Sequence, residues 1–208
     1  MNIRKKNLRL LKQNHIYNEN MEHDACGVGL VASTEGKKTR KVVEYGIKAL
    51  KAVWHRGAVD ADGKTGDGAG IHVEIPSDFF IEKIETTGHK HDNDDEVCVG
   101  MIFLPRNDYS AQEKCRTIVE TELTKNNFYI YGWRQVPVNA KVLGEKAELT
   151  RPEITQVLFK SNEKKLTGKS LETKLYETRR KIEHKCRSKH LNNFYICSFS
   201  SKSIIYKG

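Results

Sequence analysis

The run Val97 to Leu104 is the longest apolar stretch of the chain, and Pro105 follows it directly. It is strand-sized, well short of the ~18 apolar residues that a membrane helix needs. A segment apolar at every position, with no polar alternation, reads as a central strand covered on both faces. Pro105 cannot donate to a ladder and ends it. A second strand pattern, Ile71 to Ile75, alternates Ile, Val and Ile with His72 and Glu74, the period of a half-buried strand. Val28, Leu30, Val31 and Ala32 read as a further buried strand, and Tyr129 to Val138 as another. Phe194–Phe199 and Ser203–Tyr206 read as a hairpin turning at Ser200-Ser201-Lys202.

Between these lie helical patterns. Val43, Ile47, Leu50 and Trp54 recur at helical spacing and predict a helix over 40–54, with Gly57 available to end it. Ser77 is placed to cap a short helix carrying Phe79, Phe80 and Ile84. Ser110-Ala111-Gln112-Glu113 fits a capping box for a helix reaching about Thr124. Leu171, Leu175 and Ile182 line one side of a basic amphipathic helix over 171–183. Residues 86–95 read as a surface loop and 139–152 as a long polar connection. Strands and helices mix without strict βαβ alternation, which favours α+β over a doubly wound parallel sheet.

At 208 residues and 38% hydrophobic content the chain can bury a core of one domain, or two small ones. The net charge of +9 raises the question of nucleic acid. The excess sits in the flanks: residues 160–190 hold eleven Lys/Arg against four Glu, while residues 21–159 are net acidic. A basic run of this kind is a solvated face, and no Arg/Gly/aromatic RNA-binding signature accompanies it. Residues 1–20 are polar and basic and read as a leader or loosely packed arm. No apolar stretch follows their charges, which argues against a secretory signal. Five cysteines, none spaced as CxxC, argue against a disulfide framework or zinc ribbon and for a reducing, cytoplasmic setting.

Several motifs invite chemistry and fail on context. Ala58 to Thr65 ends like a phosphate-binding loop, but Ala58 replaces the required first glycine and no apolar strand precedes it. Gly66-x-Gly68-x-Gly70 opens a strand instead of the helix that a dinucleotide site requires. Asp60, Asp62 and Asp67 lack the order of a calcium loop, since Lys64 interrupts it, and read as solvated loop acids. His55, His72, His89 and His91 have no metal-ligand spacing. Among the cysteines, Cys98 and Cys197 lie in apolar strands and read as core residues; Cys115 lies in a predicted helix and Cys186 in a basic tail. Cys26 differs. It stands where the polar arm meets an apolar run, and Gly27 follows it. A cut between Ala25 and Cys26 would give one residue both a thiol and an α-amine of pKa about 8, able to act as general base for its own side chain.

The segment His23-Asp24-Ala25-Cys26-Gly27-Val28-Gly29 resembles the start of the mature large subunit of glutamate synthases. Ala49-Leu50-x-x-Val53-Trp54-His55-Arg56-Gly57-Ala58, Asp60-Ala61-Asp62 and Thr65-Gly66-Asp67-Gly68-Ala69-Gly70-Ile71 are similar to the blocks that follow in that family. Gly132-Trp133-Arg134-x-Val136-Pro137-Val138 and Cys197 to Gly208 are similar to later ones. The resemblance implies a type 2 glutamine amidotransferase domain with the N-terminal nucleophile (Ntn hydrolase) fold, a four-layer αββα sandwich of which this is the N-terminal portion. It implies a leader over 1–25 and the amidotransferase domain over 26–208. Cys26 would be the nucleophile attacking the L-glutamine amide, and Arg56 the arginine that orients the site. Asp67 and its glycines would shape the neighbouring loop. Ammonia would pass to a synthase module of the same full-length chain, which carries FMN and an iron–sulfur cluster in the family; a small subunit is a further partner there. No site for either cofactor is legible in this chain, and neither nucleic acid nor a membrane is expected. Either ferredoxin or a nicotinamide nucleotide fits as electron donor. The family's later Arg-x-Ser-Thr clamp and its Asn-Gly oxyanion pair have no counterpart in this sequence, so the chain reads as truncated at its C-terminal end and inactive alone. Another Ntn amidotransferase, or an inactive structural fragment, is the alternative.

Overall fold

A computed structural model describes residues 27–92 and 94–207 together with Leu10. The expected leader, Leu10 apart, and Cys26 lie outside the described residues. The described elements are α1 (Arg40–Ala52), a three-ten turn (Trp54–Arg56), β1 (Gly70–Glu74), α2 (Ser77–Thr86), β2 (Cys98–Leu104), α3 (Tyr109–Lys125), β3 (Phe128–Gln135), a second three-ten turn (Ala140–Val142), α4 (Glu145–Thr150), β4 (Glu153–Ser161), α5 (Gly168–Ser188), β5 (Tyr195–Ser200) and β6 (Ser203–Lys207).

The apolar run does become a central strand. β2 pairs antiparallel with β4 on one side and β5 on the other, in a four-stranded sheet of order β3-β4-β2-β5. Cys98, Ile102 and Leu104 face a core closed by Ile118, Val119 and Leu123 of α3 and by Leu171, Leu175 and Ile182 of α5. Val99 and Met101, on the opposite face, meet Phe80 and Ile84 of α2 and Ile204 of β6. Each such side chain withdraws enough apolar surface to contribute about 1.5–3 kcal/mol of transfer free energy. Two covered faces are why the run carries no polar residue.

β1 and β6 form a second, two-stranded antiparallel sheet, with Gly70 opposite Lys207 and Glu74 opposite Ser203. It shares the Val99–Met101 face of the large sheet with α2, and α1 lies against β1. The chain therefore has the expected α+β architecture of stacked antiparallel sheets between helices.

Four local expectations need correction. Residues 27–32 form no strand, and Val28 and Leu30 are 90% and 92% exposed. A strand requires a neighbour's ladder, and none of the described strands pairs with this segment. Second, β5 and β6 are not a hairpin. β5 stays in the large sheet while β6 crosses to pair with β1. A register shift opposite Met101 and Ile102 leaves Cys197 unpaired and facing the small sheet. Third, the caps differ: Asp108, not Ser110, accepts the Ala111 amide at 2.8 Å, and Ser77 is already helical after Pro76. Fourth, the polar stretch 139–152 holds a three-ten turn and α4, and the central strand β4 follows it.

The basic run belongs to α5 and its approaches. Lys160 pairs with Asp95, Lys174 with Glu163, Arg179 and Arg180 with Glu183, and Lys185 with Glu122. The other six cations, Lys164, Lys165, Lys169, Lys181, Arg187 and Lys189, are exposed, as on a solvated face.

Candidate active site: the glycine loop after Arg56

α1 stops at Ala52, and Trp54–Arg56 tighten into a three-ten turn closed by Gly57 N–H donating to the Trp54 carbonyl at 3.0 Å. Gly57 ends the turn, as the sequence suggests, in an extended conformation. Arg56 is thus the last residue of the turn, placed by its backbone. Cys26 lies outside the described residues.

The chain then doubles back on itself. Val59 bridges Gly66 antiparallel, the Asp67 amide donates to the Ala58 carbonyl at 3.2 Å, and the Asp60 amide donates to the Thr65 carbonyl at 2.7 Å. Gly66 is needed because a β-carbon there would lie 2.9 Å from the Ala58 carbonyl oxygen. Gly63 turns the tip at φ +68°, a left-handed conformation costly to other residues.

The three aspartates are built into this loop and are not free solvated acids. Asp67 Oδ2 accepts the Ala58 amide at 2.8 Å, so it ties the loop's exit to the residue two after Arg56. Asp62 accepts the Thr65 hydroxyl at 2.6 Å and the Lys64 and Thr65 amides at 2.9 and 2.7 Å. The Thr65 hydroxyl and these amides hold its carboxyl down at about 2. Asp60 accepts its neighbour's amide and pairs with Lys146 of α4 at 2.6 Å. Sequence reasoning misses the α4 side of this contact; its signal is Gly144 followed by the helix-forming run Glu145 to Leu149.

The remaining cysteines are unsuited to nucleophilic work. Burial pushes the Cys98 and Cys197 thiols up. Cys115 and Cys186 hydrogen-bond one another between α3 and α5; that bond, with burial, raises the Cys186 thiol, and the same bond lowers the Cys115 thiol. All four are buried, and buried structural thiols are inert. A polar cleft of about 590 Å³ lies beside α3, lined by Arg106, Gln112, Arg116, Trp133 and Thr155 among others. No residue of the glycine loop lines it, and it is separate from the candidate site. Among the described residues no three His, Cys, Asp or Glu side chains stand together as a metal site. No described helix is long and apolar enough to cross a membrane.

The two stacked sheets, the Arg56 turn and the glycine loop define a class of protein that comparison with known families bears out. The model of class II glutamine amidotransferases matches residues 26–208, and the chain belongs to that family. It is similar to the glutamate synthase [NADPH] large chain of Azospirillum brasilense, 54% identical over 202 residues, covering 97% of this chain and 13% of the relative. It is also similar to the ferredoxin-dependent glutamate synthase of Pyropia yezoensis, 38% identical over 208 residues, covering 99% of this chain and 13% of the relative. A third relative, the glutamate synthase [NADPH] large chain of Bacillus subtilis, is 34% identical over 197 residues, 95% of this chain and 13% of the relative. The chain thus spans about an eighth of the length of these relatives.

Proposed function

We propose that this chain is the glutaminase portion of a glutamate synthase. The observation that carries the reading is that the family match begins at Cys26 itself, where the polar arm gives way to the apolar run. Cleavage before Cys26 would free its α-amine and set the limits 1–25 for the leader and 26–208 for the domain.

In the proposed reaction the α-amine takes the thiol proton as sulfur attacks the carboxamide carbon of L-glutamine. The tetrahedral adduct collapses by breaking the carbon–nitrogen bond, and the proton passes to the departing nitrogen as ammonia leaves. Water then attacks the γ-glutamyl thioester, releasing glutamate and restoring the thiol. Arg56 supplies a fixed positive charge and planar donors that orient the site. The burial of all four described thiols supports Cys26 as the nucleophile.

Ammonia would pass to a synthase module of the full-length chain to aminate 2-oxoglutarate; FMN and an iron–sulfur cluster, implied by the resemblance, would supply electrons there. A small subunit is a further proposed partner. The four described free cysteines favour a reducing cytoplasm as the setting.

The test is Cys26→Ser in the full-length enzyme. Glutamine-dependent glutamate synthesis should disappear while ammonia-dependent synthesis persists, because ammonia enters after the thiol chemistry. Glutamine-dependent turnover that survives the substitution would overturn the assignment.

A further inference from the structure

The tip of the glycine loop rests on the start of α4. A β-carbon on Gly144 would overlap the Thr65 hydroxyl and the Asp62 carboxylate and stand 2.5 Å from the Thr65 amide nitrogen. Gly144 has an ordinary φ of −75°, so glycine is required there by contact and not by dihedral. The neighbouring Glu145 amide donates to Asp62, and Lys146 pairs with Asp60 at 2.6 Å. Lys146 is mostly exposed, so that ion pair is worth little; close backbone approach at Gly144 is what seats the loop. α4 is braced in turn. Glu148 accepts Arg106 at 2.6 Å and Arg151 at 2.8 Å, linking it to the end of β2 and the start of β4.

From the seat the connection to Arg56 is short and rigid. Asp62 and Thr65 fix the tip, the Asp60–Thr65 and Ala58–Asp67 bonds hold the two arms together, and Ala58 lies two residues beyond Arg56. A tilt of the tip is carried by these bonds to the end of the three-ten turn.

We infer that Gly144, Asp62 and Thr65 are positioning residues for the glutaminase reaction, seating the glycine loop so that the turn ending at Arg56 keeps its place. The inference rests on the glutaminase reading above. A side chain at Gly144 must push the loop away by an ångström or more, and a displacement of that size at a positioned group costs up to about a hundredfold in rate.

The experiment compares Gly144→Ala, Thr65→Ala and Thr65→Ser with wild type and Cys26→Ser, all in the full-length enzyme. Steady-state kcat and KM are measured with glutamine and, separately, with ammonia. Gly144→Ala should lower glutamine-dependent kcat/KM by about tenfold to a hundredfold and leave ammonia-dependent synthesis at the wild-type level. Thr65→Ala should show a smaller loss of the same kind, and Thr65→Ser, which keeps the hydroxyl bond to Asp62, should recover it. Wild-type glutamine kinetics in Gly144→Ala, or parallel losses with both nitrogen donors, would overturn the inference. Should Gly144→Ala fail to accumulate as folded protein, the Thr65 pair decides: an equal effect of Ala and Ser, or none, rejects the seat. Cys26→Ser separates the two failures. If it retains glutamine-dependent activity, the glutaminase reading falls; if it is inactive while the seat variants behave as wild type, the seat alone falls.

Discussion

Gly100 sits at the middle of β2, opposite Phe199 of β5 and Val157 of β4. A β-carbon there would lie 2.7 Å from both the Phe199 ring and a Val157 methyl carbon. The position therefore needs glycine for space, so that flanking side chains can close over the strand. Gly100→Ala should destabilise the fold by about 1–3 kcal/mol through overpacking, read as a lowered denaturation midpoint; an unchanged midpoint would show that Phe199 yields freely. The cysteines offer a second test at this scale. Cys98, Cys115, Cys186 and Cys197 are all buried, and burial keeps the Cys98 and Cys197 thiols protonated. A soluble thiol reagent should therefore label Cys26 of the native, processed protein first. The other four should react only after unfolding, as peptide mass spectrometry would record. Early labelling of Cys98 would contradict the core placement.

The two long helices α3 and α5 cover one face of the large sheet and meet at an ion pair. Glu122 of α3 is 3% exposed and accepts Lys185 of α5. Removing the cation leaves a buried carboxylate uncompensated, which is the costly way to break such a pair. Lys185 is partly solvated, so Lys185→Met should cost about 1–2 kcal/mol, below the range for fully buried pairs. Glu122→Gln, which keeps hydrogen-bonding capacity without charge, should cost less; the reverse order in urea denaturation would count against the argument. The elements that were legible in the sequence are those whose own residues carry the period. α5 shows Leu171, Leu175 and Ile182, β1 shows its alternation, and β2 its unbroken apolar run. β4 went unseen because Val157, Leu158 and Phe159 are a short apolar core within polar flanks, and its strand state comes from β2 and β3 on either side. The β5–β6 reading failed for a related reason. Two strand-like runs and a serine turn fit a hairpin locally, and only the far partner β1 shows that β6 leaves the sheet. At the candidate site, the glycine loop was legible from its composition, while Cys26 and Arg56 are proposed from residue chemistry and resemblance. The seat at Gly144 was not, because it joins segments far apart in sequence, and a glycine after a polar stretch reads as a turn.

Across the whole molecule the two sheets are joined where β5 hands the chain to β6, and two carboxylates hold that crossing. Glu172 of α5 accepts the Ser201 amide at 2.8 Å and the Ser200 hydroxyl at 2.9 Å. Glu96, just before β2, accepts Lys202 at 2.8 Å, the Ser201 hydroxyl at 2.8 Å and the Gly168 amide at 3.2 Å. One turn is thus tied to the start of α5 and to the approach to the central strand. Partial burial pushes the Glu96 carboxyl up, but the bonds from Lys202, Ser201 and Gly168 together outweigh it and hold the group below the ordinary glutamate range. A carboxyl depressed in the folded state binds protons more readily when unfolded, so its contribution is fully present above the unfolded value and is lost as pH falls through the folded one. Stability should decline as pH drops below about 4.5, the ordinary glutamate value, toward the lower folded one. Glu96→Gln should be less stable than wild type at neutral pH and lose less on acidification over that interval. Chemical denaturation at a series of pH values measures both quantities. Parallel pH profiles for the two proteins would mean that Glu96 does not carry the coupling, and that the sheets are held at the crossing by Glu172 and the apolar layer around Ile204 alone.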